Sequence, residues 1–281
     1  MKISKTKEFL KKNKKSIYLY IFFTTLLILT TLFINKRIET KLTIEKAHTA
    51  NIIFNVISNQ FNEIISDTEE ELSDWAEEVE SGTTSFTCDT QHTRHLEGNE
   101  LVINYGIIDK LGYSVCSRLE LAEGFNFNDE VGEYTNLVKN ETFTITNFGY
   151  SQSTGLARIG FGFPVFDSNG DFNGSVWTSL SLERINQEIE ALNIPEDAEL
   201  LITDKYGSVL VTYPENLSLL GEKKFSTKIF SLILAQKSGS IITKEEGREM
   251  IYIYKPYYFN DSNTPVSFII YGTENPNIKV F

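Results

Sequence analysis

Twenty consecutive residues without a charge, from Ser16 to Asn35, constrain this chain more than anything else in it. The run is Ser-Ile-Tyr-Leu-Tyr-Ile-Phe-Phe-Thr-Thr-Leu-Leu-Ile-Leu-Thr-Thr-Leu-Phe-Ile-Asn, between Lys15 and Lys36. As a helix rising about 1.5 Å per residue it spans about 30 Å, the hydrocarbon thickness of a bilayer. A buried core helix would be shorter or would show a polar face. A cleaved signal peptide is the rival reading. Its apolar region is usually about 7–15 residues and ends at small residues, whereas this run exits through Ile34-Asn35-Lys36-Arg37. The expectation is an uncleaved transmembrane helix over 17–35 behind a basic tail over 1–16.

Charge sets its direction. Lys2, Lys5, Lys7, Lys11, Lys12, Lys14 and Lys15 precede the run, while Lys36, Arg37 and Lys41 follow it. This asymmetry puts the N-terminus in the cytoplasm and residues 36–281 outside, a single pass of the plasma membrane. The net charge of −12 is therefore a sum over two environments. Residues 1–46 hold eleven Lys/Arg and three Asp/Glu, a balance of +8, which leaves −20 on the other 235. An acidic body excludes nucleic acid as a partner and disposes the protein toward cationic or neutral ligands.

From Asn35 to Gly82 there is neither Pro nor Gly. Ile44, Ala47, Ile53, Val56, Ile57, Phe61, Ile64, Ile65, Leu72, Trp75, Ala76 and Val79 recur mostly at spacings of three and four, with acids opposite. A stalk helix over 36–82 follows. Its stripe is either a homodimer seam or a surface packed on the domain beyond, and the lack of a strict heptad favours packing along most of its length.

Past residue 100 the hydrophobic period changes to two. Strands are expected over 101–108, 113–118, 143–150, 157–166 and 171–180, with helices over 133–139 and 182–192; Pro195 marks a boundary. A shorter version then repeats: strands 200–204 and 208–213, a helix over 226–236, and strands 239–243, 250–258 and 266–271. Gly106-Ile-Ile-Asp-Lys-Leu-Gly-Tyr-Ser-Val-Cys116-Ser and Leu201-Ile-Thr-Asp-Lys-Tyr-Gly-Ser-Val-Leu210 are two copies of one hairpin. The fold class is α+β: two tandem PAS-like units with antiparallel sheets, membrane-distal over 83–194 and membrane-proximal over 195–275.

These features together resemble the double Cache sensor domains that bacterial chemoreceptors, sensor histidine kinases and diguanylate cyclases carry outside the membrane. The hairpin ending in Cys116 looks like the family's first hairpin. Gly155-Leu-Ala-Arg-Ile-Gly-Phe-Gly-Phe-Pro-Val-Phe-Asp-Ser-Asn-Gly-Asp-Phe-Asn-Gly-Ser-Val176 looks like its meander. The resemblance spans about residues 17–275 and rests on turn chemistry and strand order. It implies a receptor's ligand-sensing region, with a small molecule in the distal unit and the stalk passing on the signal. In such receptors a second span follows the proximal unit, at about five residues past Gly272-Thr-Glu-Asn-Pro276, where this chain stops at Phe281; any catalytic output domain would lie beyond. Where many relatives carry Asp-Arg-Pro-Tyr-Phe, this chain has Glu130-Val-Gly-Glu-Tyr134, and no Arg-x-Trp-Tyr run occurs. An amino-acid sensor is disfavoured.

In a PAS-like unit, ligands lie between the concave sheet face and the segments crossing it. A carboxylate there needs an Arg donor, and apolar rings need aromatic contacts. The candidate ligand-binding residues are Tyr134, Phe148, Tyr150, Arg158, Trp177 and Ser179, with Ser175 on the same strand face as Trp177. The bland reading is a set of core or surface aromatics and an Arg paired with an acid.

Cys88 and Cys116, both expected outside the membrane, read first as a disulfide closing a loop of about 29 residues, worth about 3 kcal/mol. Free or redox-responsive thiols and a metal site using Cys88, His92, His95 and Cys116 are the alternatives, although the spacing matches no zinc finger. No catalytic motif appears, so the chain is not expected to be an enzyme, and no cofactor or metal is expected. A membrane-anchored protein-interaction module without a small ligand, and a thiol-based redox sensor, are the rival functions.

Overall fold

The computed structural model describes residues 14–81, 88, 93–131, 134–140, 143–192, 194–196, 198–245, 247–259 and 265–274. By its contacts the chain divides into two compact units, Met1–Asn51 and Ile52–Phe281. Both sheets fall inside the second.

Helix α1 runs without a break from Lys14 to Glu80, longer than the stalk expected over 36–82. In the uncharged run its side chains are described over 22–34, so seven of them, at 16–21 and 35, lie outside the description. Among the described residues, no helix is long and apolar enough to cross a membrane; the expected span over 17–35 is thus not found in the described structure. From Phe22 to Ile34 the large apolar side chains are exposed. The hydroxyls of Thr25, Thr30 and Thr31 donate back to the carbonyls of Phe22 and Leu27, at 2.7–2.9 Å.

The second unit holds the end of α1 and two antiparallel sheets. Phe54, Ile57, Phe61, Ile65, Thr68, Leu72, Trp75, Ala76 and Val79 form a buried seam at spacings of three and four, one face of a 3.6-residue helix. Trp75 meets Tyr105 edge-on at 5.9 Å, and Phe61 meets Tyr257 at 6.0 Å. The Tyr257 hydroxyl donates to Asn62 Oδ1 at 2.6 Å, and the Phe166 N–H donates to Glu80 Oε1 at 2.7 Å. Domain packing therefore accounts for most of the stripe, while Ile52 and Val56 remain exposed.

The first sheet comprises β1 (Val102–Asp109), β2 (Ser114–Ser117), β3 (Thr144–Ile145), β4 (Gly149–Tyr150), β5 (Ala157–Phe166) and β6 (Phe172–Ser181). Its order is β2-β1-β6-β5-β3, with β4 also on β5. The single strand expected over 143–150 is two short pieces. Between them Thr146 still binds β5, donating its N–H to Gly160 O at 2.8 Å, while its hydroxyl accepts the Gly160 N–H at 3.0 Å. Helix α2 (Thr93–Gly98) precedes the sheet, and α3 (Phe127–Val131) and α4 (Tyr134–Asn140) cross one face of it.

Helix α5 (Leu182–Glu190), capped by Ser181, leads to the second sheet. This comprises β7 (Ala198–Asp204), β8 (Val209–Tyr213), β9 (Gly239–Glu245), β10 (Arg248–Tyr257) and β11 (Ser267–Glu274), with α6 (Thr227–Gln236) before β9. The order β8-β7-β11-β10-β9 repeats the first. The two expected hairpins carry the same turn. Asp109 Oδ1 accepts from the N–H groups of Leu111 and Tyr113 at 2.9 and 3.0 Å, and Asp204 Oδ1 from Tyr206 and Ser208 at 2.8 and 2.9 Å. Asp is the residue whose side chain can serve two turn donors in this way.

Cys88 and Cys116 are disulfide-bonded, with Cα atoms 5.7 Å apart, which decides against free thiols in this structure. The metal alternative falls partly on His92 and the His95 side chain, outside the described residues; among the described residues no cluster could hold a metal ion.

Candidate functional site

The face of the first sheet turned away from α1 carries a row of small residues. Across three strands Gly106 pairs with Trp177 and Trp177 with Gly162; one step along, Asn104 pairs with Ser179 and Ser179 with Gly160. Glycine inside a strand usually marks a close approach by another group. Here a Cβ on Gly162 would run into the Tyr134 hydroxyl, and one on Gly160 would lie 2.8 Å from Thr146 Oγ1 and 3.0 Å from Arg158 Nη1. Gly106 likewise yields to the Trp177 indole. The glycines leave a hollow, and side chains from elsewhere lean into it.

Helices α3 and α4 roof the hollow. Phe127 lies 4.8 Å from the Trp177 ring and 5.5 Å from Tyr134, with Phe125 edge-on to it at 5.0 Å. Ile108 and Val138 complete this cluster. Below it remains a cavity of about 30 Å³, bounded by Asn104, Tyr134, Thr146, Arg158, Trp177 and Ser179, and by the loop at Gln152 and Ser153. That is room for a water or two, so a larger ligand needs the roof or the loop to shift.

Of the sequence candidates, the structure brings Tyr134, Arg158, Trp177 and Ser179 together around this cavity. It places Phe148 and Tyr150 elsewhere. Phe148 packs over Gly221 of the second sheet's side, and Tyr150 is 59% exposed. The irregular backbone between β3 and β4 breaks the alternation that would have turned them inward. Ser175 is fully buried beside Tyr134. Asn104, Thr146 and Phe127 were missed. The strand-internal Gly160-Phe-Gly162 was the available signal, because it marks the face where other groups approach.

The polar groups divide sharply. Arg158 is 8% exposed and donates to Thr146 Oγ1 at 3.5 Å. Asn104 Oδ1 accepts from the N–H groups of Tyr105 and Leu119, both at 2.9 Å, and from the Ser117 hydroxyl at 3.3 Å. Among the described residues the buried Trp177 Nε1 has no hydrogen-bond partner, and the buried Tyr134 hydroxyl has only the Ser175 hydroxyl beside it. Burial pushes the Tyr134 hydroxyl up to about 12, with Ser175 and the Arg158 charge pulling the other way, so it stays protonated.

Among the described residues, the equivalent space over the second sheet is filled. Following the ladders from Asp204, Leu201 pairs with Ile270 and Ile270 with Tyr254, while Glu199 pairs with Gly272 and Gly272 with Tyr252. Tyr252 and Tyr254 thus stand where the first sheet has Gly160 and Gly162. The Tyr252 hydroxyl lies 2.6 Å from Glu199 Oε2 and 2.9 Å from Glu245 Oε1. Lys224 Nζ bridges the same acids at 3.0 and 2.9 Å.

No family model matches the sequence, and no curated protein matches it. Comparison with solved structures does find likenesses. The extracellular domain of rpHK1S-Z16, a protein assigned as a histidine kinase, superposes with a TM-score of 0.66 at 14% identity, over 83% of this chain and 95% of that one. The ligand-binding domain of the Pseudomonas aeruginosa PAO1 amino acid chemoreceptor PctB, in complex with L-Gln, gives 0.60 at 13% identity over 80% and 89%. That of the Pseudomonas fluorescens chemoreceptor CtaA, in complex with L-isoleucine, gives 0.60 at 14% over 78% and 88%. At these identities the likeness is one of fold: the two sheets are built as in these extracellular domains of receptors.

Proposed function

We propose that this chain, folded as the extracellular ligand-binding domains of chemoreceptors and a histidine kinase are, is the extracytoplasmic sensing region of a membrane signal-transduction receptor. The observation that carries the reading is the cavity in the first sheet, where Tyr134, Arg158, Trp177 and Ser179 converge over a floor of glycines. A small molecule binds there. Few apolar pockets with convergent polar groups occur per protein, and they are the usual ligand sites.

Membrane placement belongs to the same proposal. The uncharged run over 16–35 and its flanking lysines support an anchor with residues 36–281 outside. The threonine hydroxyls bonded within α1 leave no polar demand on the lipid. Helix α1 carries Trp75 against the first sheet and Phe61 against the second, so a ligand-biased change at either sheet is passed to it. The exposed Ile52 and Val56 support a homodimer along the helix.

A thermal-unfolding screen of the full chain in detergent, against organic acids, amines, purines and sugars, tests the site. At least one compound raises the melting temperature, and Trp177→Phe diminishes that rise. Absence of any stabilising compound, together with capture of a protein partner, would point to an interaction module instead.

A further inference from the structure

Cations are unevenly spread over the acidic body. Of the 26 Lys/Arg and 38 Asp/Glu, eleven and three precede residue 47, which leaves fifteen cations against 35 acids. Five of those fifteen, Lys223, Lys224, Lys228, Lys237 and Lys244, fall in a stretch of 22 residues that holds no acid. Helix α6 lies in the middle of it. The helix buries Phe230 and Ile233 in the core of the second sheet, with Phe230 edge-on to Phe268 at 5.8 Å. Its other face is open. Leu232 is 46% and Leu234 42% exposed, and Ser231 and Ala235 beside them are exposed as well.

A surface helix ordinarily turns polar side chains to water. This one turns out two leucines and keeps its lysines at the ends, Lys228 in the first turn and Lys237 at the C-cap. Lys224 is taken by Glu199 and Glu245. Lys223, Lys228 and Lys237 are exposed, and among the described residues none of them has an ion-pair partner. An occupant that suits both kinds of side chain is an apolar layer edged with anions, which is the composition of an anionic lipid surface. Lysines are drawn to such a surface, while a body with 35 acids is repelled, so the acid-free stretch is the part that can approach. A second copy suits it less, because a symmetric contact of this face with itself sets lysines against lysines.

We propose that the outer face of α6 docks on anionic lipid headgroups, with Leu232 and Leu234 entering the interface and Lys223, Lys228 and Lys237 meeting phosphate. This rests on the proposed membrane anchor and is independent of the cavity in the first sheet. A chain tethered by α1 has lipid at high effective concentration, so a weak surface suffices. Because Phe230 and Ile233 root the helix in the core of the second sheet, docking holds that sheet to the bilayer.

Cys88 and Cys116 are disulfide-bonded, so Ser231→Cys supplies one reactive thiol on this face for a nitroxide label. The full chain is placed in nanodiscs of phosphatidylcholine alone, or of phosphatidylcholine and phosphatidylglycerol in equal parts. Collisions of the label with a water-soluble nickel chelate and with lipid-soluble oxygen are then measured by electron paramagnetic resonance. In the anionic discs nickel collisions fall about twofold or more and oxygen collisions rise, and added salt weakens both changes. Replacing Lys223, Lys228 and Lys237 together by Gln removes the difference between the two lipids, with far-ultraviolet circular dichroism unchanged. A label at the exposed position of Asn136→Cys, on α4, reads the same in both. A Ser231→Cys label equally open to nickel in both lipids overturns the docking and leaves the receptor reading standing. Protection that ignores lipid charge and grows with protein concentration also overturns it, in favour of a second copy. Failure of the chain to enter the discs at all overturns the anchor and the docking together.

Discussion

The two sheets of the second unit have the same strand order and the same Asp-anchored hairpin, yet one encloses a hollow and the other does not. The difference comes down to two positions on one strand. In β5 they are Gly160 and Gly162; in β10 they are Tyr252 and Tyr254. Neighbouring positions change in step. Asn104 in the first sheet is matched by Glu199 in the second, and Arg158 by Met250. In the first sheet the space over the glycines is taken up by side chains from roof helices, leaving buried polar atoms unpaired. In the second, Tyr252 and Tyr254 fill it and join Phe225, Phe230, Ile233 and Phe268 in one core. The teaching is that one sheet leaves space beneath its crossing helices and the other fills the equivalent space with its own side chains.

Four predictions break or sharpen that contrast. The largest effect is expected from Tyr252→Ala, which opens a cavity in the second sheet and deprives Glu199 and Glu245 of a shared donor. By analogy with other buried aromatic truncations it costs about 4 kcal/mol in denaturant unfolding. A cost below about 1 kcal/mol would mean that the tyrosine is not the plug. Gly162→Ala is the converse change. Its methyl meets the Tyr134 hydroxyl, so the chain loses about 1–3 kcal/mol and any ligand response of the first sheet disappears. Should the response survive intact, the floor of glycines is irrelevant to binding.

High pH gives the third. The unfolded tyrosine titrates at 10.0 and folded Tyr134 at about 12. Its folded pKa is raised, so its contribution is complete below pH 10 and is lost as pH climbs from 10 to about 12, where only the unfolded chain releases the proton. The slope is about 1.4 kcal/mol per pH unit for this residue. Tyr105 and Tyr257 are displaced to about 12 in the same direction, chiefly by burial, with Glu97 adding to the effect on Tyr105. Tyr134→Phe should remove its share of the slope, read from unfolding curves at pH 9, 10, 11 and 12. Ligand bound at the Tyr134 hydroxyl should shift the decline upward.

Lys224→Met is the smallest. Burial works against the Lys224 charge, but hydrogen bonds to Glu245 and Glu199 outweigh it and raise its pKa. The pair is partly exposed, so removal costs about 1 kcal/mol and the cost falls in high salt. A salt-independent loss would mean that the lysine's packing at this site matters more than its ion pairs, its Nζ lying 6.0 Å from the centre of the Tyr252 ring.

Most of the architecture was legible in the sequence, for identifiable reasons. The period change from three-to-four to two near residue 100 marks where helix gives way to sheet, and the Asp-Lys-x-Gly turns place both hairpins. Ala157–Phe166 appears at its expected bounds. The stretch 143–150 failed because a strand that leaves its partner midway has no distinct residue pattern. The site was half legible. Arg158, Trp177, Ser179 and Tyr134 are residue types whose chemistry announces itself, whereas Phe148 and Tyr150 look the same whether they face a cavity or a neighbouring unit. Which aromatics converge is a matter of register, and a one-residue irregularity reverses it.

What the sequence determined by itself is the order of helices and strands, the repeated hairpin, and the separation of a basic uncharged-run segment from an acidic body. These follow from local propensity and from the sign of nearby charges, which need no knowledge of distant neighbours. Only the tertiary structure decided that Gly160 and Gly162 lie under Tyr134 and beside Arg158, and that Tyr252 lies among Lys224, Glu199 and Glu245. A cavity is the space left by residues far apart in the chain, and its volume depends on how they pack, to within a methyl group.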